Sequence, residues 1–351
     1  MKKIEAKIVA DSISPQGHRI TSMLLTYPRF IHGEIMTHRM FSRNSASSRA
    51  IPFQKMVKSV EEDPFIPIAW QKDHKGMQGS EYITDPEEIQ GNIEEWMQAR
   101  NFAIMQSMIL SNRGVTKQLC NRLLEPFMWH TTLVTATEWD NFFELRCPKY
   151  EFYGQSEGIG LPVQYLKSKK DYCKVAGGSS DEITIDFWLG KNKSQAEIHI
   201  QALAESMWDA LNESKPKHLK SGQWHIPFGD YIDEQYLAQV VTELYPNWFN
   251  NQLSFTKNIG IYKIKIATAR TARLSFMTFE GEINYKKDLG LHDKLFINKH
   301  ESPFEHCTRA MSDDEYYKFF KGEVKDPKSY SGNGWCNNFR GWIQYRYLIE
   351  K

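Results

Sequence analysis

At 351 residues the chain is long enough for one large domain or two ordinary ones, and it can bury a sizeable core. Its 44 Lys and Arg against 43 Asp and Glu leave a net charge of +1, without the basic excess that a duplex-binding protein uses to neutralise phosphates. Any anion binding is therefore local, which points to a small ligand and not to a nucleic acid polymer.

After the turn signal Ser14-Pro15-Gln16-Gly17, the segment Ile20 to Thr26 reads as a strand, which Pro28 interrupts. Phe30 to Met36 reads as a short helix or extended lead-in, and the SASSR segment follows as a loop. Residues 60 to 92 are rich in Pro, Gly, Asp and Lys and read as a surface excursion. From Asn92 to Leu110 a helix is expected, because Ile93, Trp96, Met97, Ala103, Ile104, Met108 and Ile109 recur at helical spacings. Asn112-Arg113-Gly114 stops it, and VTKQLCNRLLEP starts a shorter helix that ends at Pro126. HTTLVTATEWDNFFELR is rich in Thr, Val and aromatics early, then acidic and helix-like. Residues 149 to 193 look inserted, with several glycines beside the strand-like EITIDFWL. SQAEIHIQALAESMWDALNES is the clearest helix, with Ile198, Ala202, Leu203, Met207, Ala210 and Leu211 on one apolar face. Residues 214 to 260 are less regular, IKIATARTARLSF returns to helix or strand, and HESPFEHC is a tight segment before a polar tail. No internal repeat of fixed period occurs.

The five cysteines, Cys120, Cys147, Cys173, Cys307 and Cys336, contain no CxxC pair, which argues against a disulfide framework and a thiolate zinc site. The opening MKKIEAKIVADS lacks the apolar run of a signal peptide, and no stretch approaches the roughly 20 apolar residues of a membrane span. A cytoplasmic protein with no membrane partner is expected.

The densest chemistry lies in MTHRMFSRNSASSRAIP, residues 36 to 52, where His38, Arg39, Arg43 and Arg49 stand among Ser42, Asn44, Ser45, Ser47 and Ser48. No carboxylate balances them. Small residues let backbone N–H groups converge on an anion, hydroxyls add donors, and Arg49 can fork onto two phosphate oxygens. Charge-assisted bonds of this kind contribute about 1.5–3 kcal/mol each. A solvated serine-rich loop is the plainer reading of the same composition. Arg122 and Arg146 each sit among apolar neighbours, so each is either paired with a nearby carboxylate (Glu125, Glu144) or aimed at a bound anion.

HESPFEH offers His300, Glu301, Glu305 and His306, but its histidines are not spaced as a zincin helix requires, and no metal is expected there. A histidine near Ser-Pro at a helix start more often contacts a ligand or caps the chain. Neither GxGxxG nor GxxxxGK[ST] occurs, so neither a Rossmann site nor a P-loop is supported. HRMFSRNSASSR beside Phe53 also allows a flavin-free protein that binds single-stranded nucleic acid, against which the charge balance argues.

Together these pieces resemble the flavin-dependent thymidylate synthase family. Its signature RHRxxSxNxxSxR is similar to THRMFSRNSASSR over residues 37 to 49, where His38, Arg39, Ser42, Asn44, Ser47 and Arg49 match. Its RxxLP is loosely similar to Arg122 through Pro126, its NFxxLR to Asn141 through Arg146, and its AQxEI to Ser194 through Ile198. Its AARxS resembles Thr271 through Ser275, and its HxS/TPFEH resembles His300 through His306. In that family the SPFEH module precedes the signature strand. Here it follows, so the resemblance implies a circularly permuted order, which a fold tolerates when its ends lie close. The expected division is a signature-bearing catalytic part over 1–213 (149–193 inserted), an insertion or linker over 214–260, and a permuted catalytic segment over 261–351.

The resemblance implies an α+β fold with helices packed on a mostly antiparallel sheet, and a homotetramer with FAD and dUMP sites at subunit interfaces. By carry-over, His38, Arg39, Asn141 and Ser302 hold the flavin with His300 beside it, and Ser47, Ser48, Arg49, Arg122 and Arg146 hold the nucleotide. Arg146, Arg49 and His300 are assigned to the chemistry. The implied reaction is reductive methylation of dUMP to dTMP, with 5,10-methylenetetrahydrofolate as carbon donor and NADPH as reductant. Arginine charge near the pyrimidine carbonyls makes C5 nucleophilic without a cysteine on the ring, and Ser47 binds because no base is evident to activate it. Three positions depart from the family pattern: Thr37 replaces the first signature Arg, Ser45 a Glu, and Glu34 a Gln. Those departures leave hydroxymethylation of dUMP or dCMP as a close alternative. Gln344 and Arg346 in the tail are candidates to replace the missing Gln and Arg, unless that segment simply packs through Trp342 and Tyr345.

Overall fold

The structure, a computed structural model, describes residues 2–76, 79, 81–156, 159–160, 163–246, 252–274, 283–319 and 334–350. Strands β1 (Glu5–Ile13) and β2 (Arg19–Pro28) form an antiparallel hairpin. Its turn is closed by Gly17 N–H donating to the Ser14 carbonyl at 2.9 Å, with Gly17 at φ 84°, a conformation that costs a glycine nothing. Strands β3 (Ser42–Ser45) and β4 (Trp129–Ala136) extend this sheet, and with β5 (Lys217–His218) the order is β3-β4-β2-β1-β5. Every pairing in it is antiparallel except the short β1–β5 edge. The fold is α+β with a mostly antiparallel sheet.

Alternation decides which face is covered. Met23, Leu25 and Tyr27 of β2 and Val134 and Ala136 of β4 turn to one face. There they meet helix α4 (Ile198–Glu213) through Ile200, Leu203, Ala204 and Met207, and helix α3 (Asp140–Arg146) through Phe142 and Phe143. Each such side chain contributes about 1.5–3 kcal/mol when fully buried. The opposite face carries Ser22 and Thr135, both buried, and is covered by a second, three-stranded antiparallel sheet region. Its strands are β6 (Trp224–His225), β7 (Thr308–Ala310) and β8 (Trp342–Gln344).

Four expectations about local structure need correction. Helix α1 (Phe53–Glu62) overlaps the start of what reads as a surface excursion. Its buried Phe53, Met56, Val57 and Val60 fall on one helical face and pack on Ile104, Cys120 and Leu124. Helix α2 runs Pro86–Asn112, beginning ahead of Asn92 because the Asp85 carboxylate caps the amides of Glu87 and Glu88 and Pro86 takes the first turn. EITIDFWL is not a strand: Ile185–Lys191 is helical, with the Thr184 hydroxyl accepting from Phe187 N–H. Residues 214–260 also contain helix α5 (Glu234–Leu244) and part of helix α6 (Gln252–Ala272). Leu237, Val240 and Val241 bury against Ile259, Tyr262 and Ile266 of α6 and Leu289 of helix α7 (Tyr285–Ile297).

One apolar stripe has no cover among the described residues. Phe102, Met105, Met108 and Ile109 on α2 are exposed, Phe102 at 61%, next to exposed Leu119 and Leu123. No helix among the described residues is long and apolar enough to cross a membrane.

Candidate active site

Between β2 and β3 the chain makes two short helical turns, Arg29–Ile31 and His32–Ile35, anchored by buried Ile31, Ile35 and Phe41. Their C-terminal carbonyls need donors. Arg43 supplies them: its Nη1 donates to the carbonyls of Met36 at 2.7 Å and of Ile35 and His38 at 3.3 Å. This arginine is a backbone clamp.

The clamp presents His38. Its ring stacks with Phe41 and meets Phe142 edge-on at 4.8 Å. Arg146, at the end of α3, donates from Nε to His38 Nε2 at 3.2 Å. Burial, then the charges of Arg146 and Arg43, push the His38 imidazole down to about 4, so it is neutral at pH 7 and accepts. Arg146 does not pair with Glu144, which takes Lys149 at 3.1 Å and Lys167 at 3.3 Å. Nor does Arg122 pair with Glu125. That carboxylate accepts from Ser48 Oγ at 2.7 Å and lies 3.7 Å from Arg29 Nε.

Residues 300–306 pack against β3. The Asn44 amide nitrogen lies 3.3 Å from His306 Nε2, 3.2 Å from the Arg43 carbonyl and 3.1 Å from the Ser302 carbonyl, the orientation in which it faces acceptors only. From His306 a buried chain crosses the sheet. Its Nδ1 is 2.8 Å from Thr135 Oγ1, which is 2.6 Å from Ser22 Oγ. Ser22 Oγ is in turn 2.9 Å from His225 Nε2, and His225 Nδ1 is 3.0 Å from Ser12 Oγ. Burial pushes both histidines down to about 3, so both are neutral. One donor direction then satisfies the whole series: Asn44 to His306, His306 to Thr135, Thr135 to Ser22, Ser22 to His225, His225 to Ser12.

The tail braces the same strand. Asn338 Nδ2 donates to the Met40 carbonyl at 3.0 Å and to Ser42 Oγ at 3.1 Å, while its Oδ1 accepts from Gln344 Nε2 at 2.7 Å. Gln344 Oε1 accepts from Asn337 Nδ2 at 2.7 Å. Arg346 grips Glu301 at 2.6 Å, Glu305 at 2.7 Å and Glu350 at 2.6 Å. Gln344 and Arg346 thus commit their polar atoms within the chain, where they hold residues 301–305 and the signature strand.

The residues expected to bind ligands fall into two groups. In the first, Arg146 meets His38 and the Ser302 backbone meets Asn44, with neighbouring His300 and the Ser302 side chain exposed. The second group follows β3. Asn121 Nδ2 donates to the carbonyls of Ser48 at 2.7 Å and Ile51 at 2.9 Å, tying the loop that carries Ser47 and Arg49 to the turn that carries Arg122. Arg39, Arg49, Arg122 and Asn141 are exposed, and their side chains have no hydrogen-bond or ion-pair partner among the described residues. Ser48 is buried with its hydroxyl on Glu125, so it anchors the loop. Ser45 Oγ is 2.9 Å from Thr132 Oγ1, which is 2.7 Å from Tyr27 Oη. Arg273 is ion-paired with buried Asp288, and Ser275 lies outside the described residues.

Several site residues carry no motif signal: Arg43 as a clamp, Thr135, Ser22 and His225 in the chain, and Asn338 in the tail. Glu34 was visible only as a departure from the family pattern. It is half-buried, its Oε2 is enclosed with no hydrogen-bond partner, and burial, then Glu197, raise its carboxyl to about 7 against the opposing charge of Arg146. No three His, Cys, Asp or Glu side chains among the described residues converge to hold a metal ion.

No protein-family model matches the chain, and no curated protein matches it. Among solved structures, the UMP/dUMP methylase PolB from Streptomyces cacaoi bound with 5-Br dUMP is similar at 13% identity and a TM-score of 0.40, over 60% of this chain and 91% of that one. The same protein bound with 5-Br UMP gives 15% identity and a TM-score of 0.40, over 61% of this chain and 90% of that one. A likeness this loose carries no argument about the reaction, which rests on the residues.

Proposed function

We propose that this chain transfers a one-carbon unit from 5,10-methylenetetrahydrofolate to C5 of a pyrimidine deoxynucleoside monophosphate, with FAD bound beside His38. The observation that carries the reading is the packing of residues 300–306 on β3. His306 and Asn44 lie 262 positions apart in the chain, yet they meet on β3 one residue from Arg43, whose guanidinium reaches the His38 carbonyl. Two motifs that resemble one family, in rearranged order, are thereby in contact, which supports reading the chain as a permuted form of that fold.

The donor set fits a phosphorylated dinucleotide. Arg39 and Asn141 are exposed without partners among the described residues, and the exposed Ser302 and His300 side chains lie beside the Asn44 cluster. These residues and His38 would hold FAD, which when recharged by NADPH supplies hydride. Arg49 and Arg122, with Ser47, would take the nucleotide phosphate. Arg146 uses Nε on neutral His38, which leaves its two Nη groups for a pyrimidine carbonyl. A fixed cation there stabilises negative character on the ring oxygen and makes C5 nucleophilic.

Reductive methylation to the 5-methyl nucleotide is the first form of the reaction. Hydroxymethylation is the second, favoured by the hydroxyl of Ser45 on Thr132 at a position where the resembled family has a carboxylate. The unpartnered site residues and the apolar stripe of Phe102, Met105 and Leu119 support a homo-oligomer in which a second copy completes each site. The test is direct: purified protein is examined for the yellow absorbance of oxidised flavin, then given dUMP or dCMP with folate donor and NADPH. A methyl or hydroxymethyl increment in nucleotide mass is expected. Colourless protein that takes up no FAD and returns both nucleotides unchanged overturns the proposal.

A further inference from the structure

We infer that Glu34 is the base that takes the C5 proton of the pyrimidine; the inference rests on the reaction proposed above. Glu34 sits in the turn His32–Ile35, and its own carbonyl accepts from Thr37 N–H at 3.1 Å and Thr37 Oγ1 at 2.6 Å. With Arg43 gathering the next carbonyls, the backbone that carries this side chain is fixed. The carboxyl itself is not. Its Oε2 is enclosed without a partner, and the group forms no ion pair among the described residues. An enclosed polar atom left unsatisfied is rare in folded proteins and wants a partner.

The charged groups that act on Glu34 define its surroundings. From α4 comes Glu197, which caps the helix through the amides of His199 and Ile200 and also meets His199 Nδ1. From α3 comes Arg146, the cation assigned to the pyrimidine carbonyl. Arg43 on β3 lies on the adjoining carbonyls, and His32 and His38 on the same segment are held down to about 4 and are neutral. Burial, then a like charge, against one arginine raise the Glu34 carboxyl to about 7, the range in which a base works at neutral pH.

Several groups of the surrounding segments are already engaged. His38 Nε2 is occupied by Arg146, His32 Nδ1 by Tyr27, and Glu301 and Glu305 by Arg346. The step balances without further reactants. C5 attacks the methylene carbon of the folate iminium, a C–C bond forms, and the C=N pair moves to the folate nitrogen. The C5–H bond then breaks, its electron pair restores the C5–C6 double bond, and the proton passes to the Glu34 carboxylate. The glutamine of the resembled family could not accept that proton, so this role belongs to the present chain.

The experiment follows tritium release from C5-tritiated dUMP and dCMP in single turnovers across pH, beside calorimetric nucleotide binding, for wild type, E34Q and E34A with and without formate. E34Q is expected to bind nucleotide within about threefold of wild type and to release tritium 10²–10⁴-fold more slowly, the usual worth of a general base. The acid limb near pH 7 should vanish in E34Q, and formate should restore part of the release in E34A. E34Q releasing tritium within about tenfold of wild type, or keeping the acid limb, overturns the inference alone. Wild-type protein that binds neither nucleotide and releases no tritium overturns it together with the proposed function.

Discussion

Replacing Thr135 by valine tests the buried chain beneath the site at its narrowest point. The two side chains share a shape, so no cavity opens, and only the hydroxyl is lost. His306 Nδ1–H then has no acceptor at 2.8 Å, and Ser22 Oγ loses the donor at 2.6 Å while keeping its own bond to His225. All of these atoms belong to fully covered residues. A buried donor left unsatisfied costs about 1–3 kcal/mol, and a lone pair without its donor costs less, so the loss is expected at about 2–4 kcal/mol. Urea unfolding at pH 7 reads it as a lower midpoint at unchanged slope. Ser22→Ala breaks the same chain one link on, so the double variant should lose about 1 kcal/mol less than the two single losses combined. A Thr135→Val cost below about 0.5 kcal/mol, or strict additivity with Ser22→Ala, would show that these hydroxyls are independent and that the chain is a coincidence of distances.

The same histidines set an acid limit. His225 and His306 are held down to about 3 in the folded protein, below the usual imidazole value, so the unfolded chain binds more protons as pH falls below about 6.5. Stability is full above that value and is lost toward low pH, at about 1.4 kcal/mol per unit for each. Glu34, raised to about 7, works the opposite way, being most favourable at low pH and lost as pH rises through 7. Urea midpoints that stay level from pH 7 to about 5 would refute this account. Arg146→Ala should weaken nucleotide binding by about 10- to 100-fold in calorimetry, as expected for a charge-assisted contact. It should also raise the His38 titration seen by NMR only in part, since burial is the larger cause of that shift. Unchanged affinity removes Arg146 from the pyrimidine site. Phe102→Asp, placed on the uncovered stripe, is expected to reduce the solution mass to that of one chain, and an unaltered oligomer would assign the stripe elsewhere.

Where the signal was local, the sequence was legible. The hairpin turn at Ser14–Gly17, the helix after Glu197 and the stop at Gly114 follow from turn chemistry and periodicity within a few residues. Helix α1 was equally available, since Phe53, Met56, Val57 and Val60 are spaced for one face, but the Pro- and Gly-rich stretch beyond it hid the pattern. EITIDFWL misled because β-branched composition is weaker than a capping threonine in a short segment. Glu144 could not serve Arg146, because residues two apart on a helix do not face each other. Glu125 is correctly spaced for Arg122, but Ser48 and Arg29 take its oxygens from elsewhere in the chain. The buried series is the extreme case: Ser22 finds His225 across 203 positions, and Thr135 finds His306 across 171. Nothing in composition or period encodes those meetings. They exist only once the two sheets have closed.

Asn338 also has a consequence for biosynthesis. Its hydrogen bonds reach back 298 positions to Met40 and 296 to Ser42. On the ribosome the signature strand therefore waits, complete but unbraced, until the 296 positions that separate Ser42 from Asn338 have been added. Nascent polypeptides interrupted before that asparagine would carry the Met40–Ser42 segment without this support.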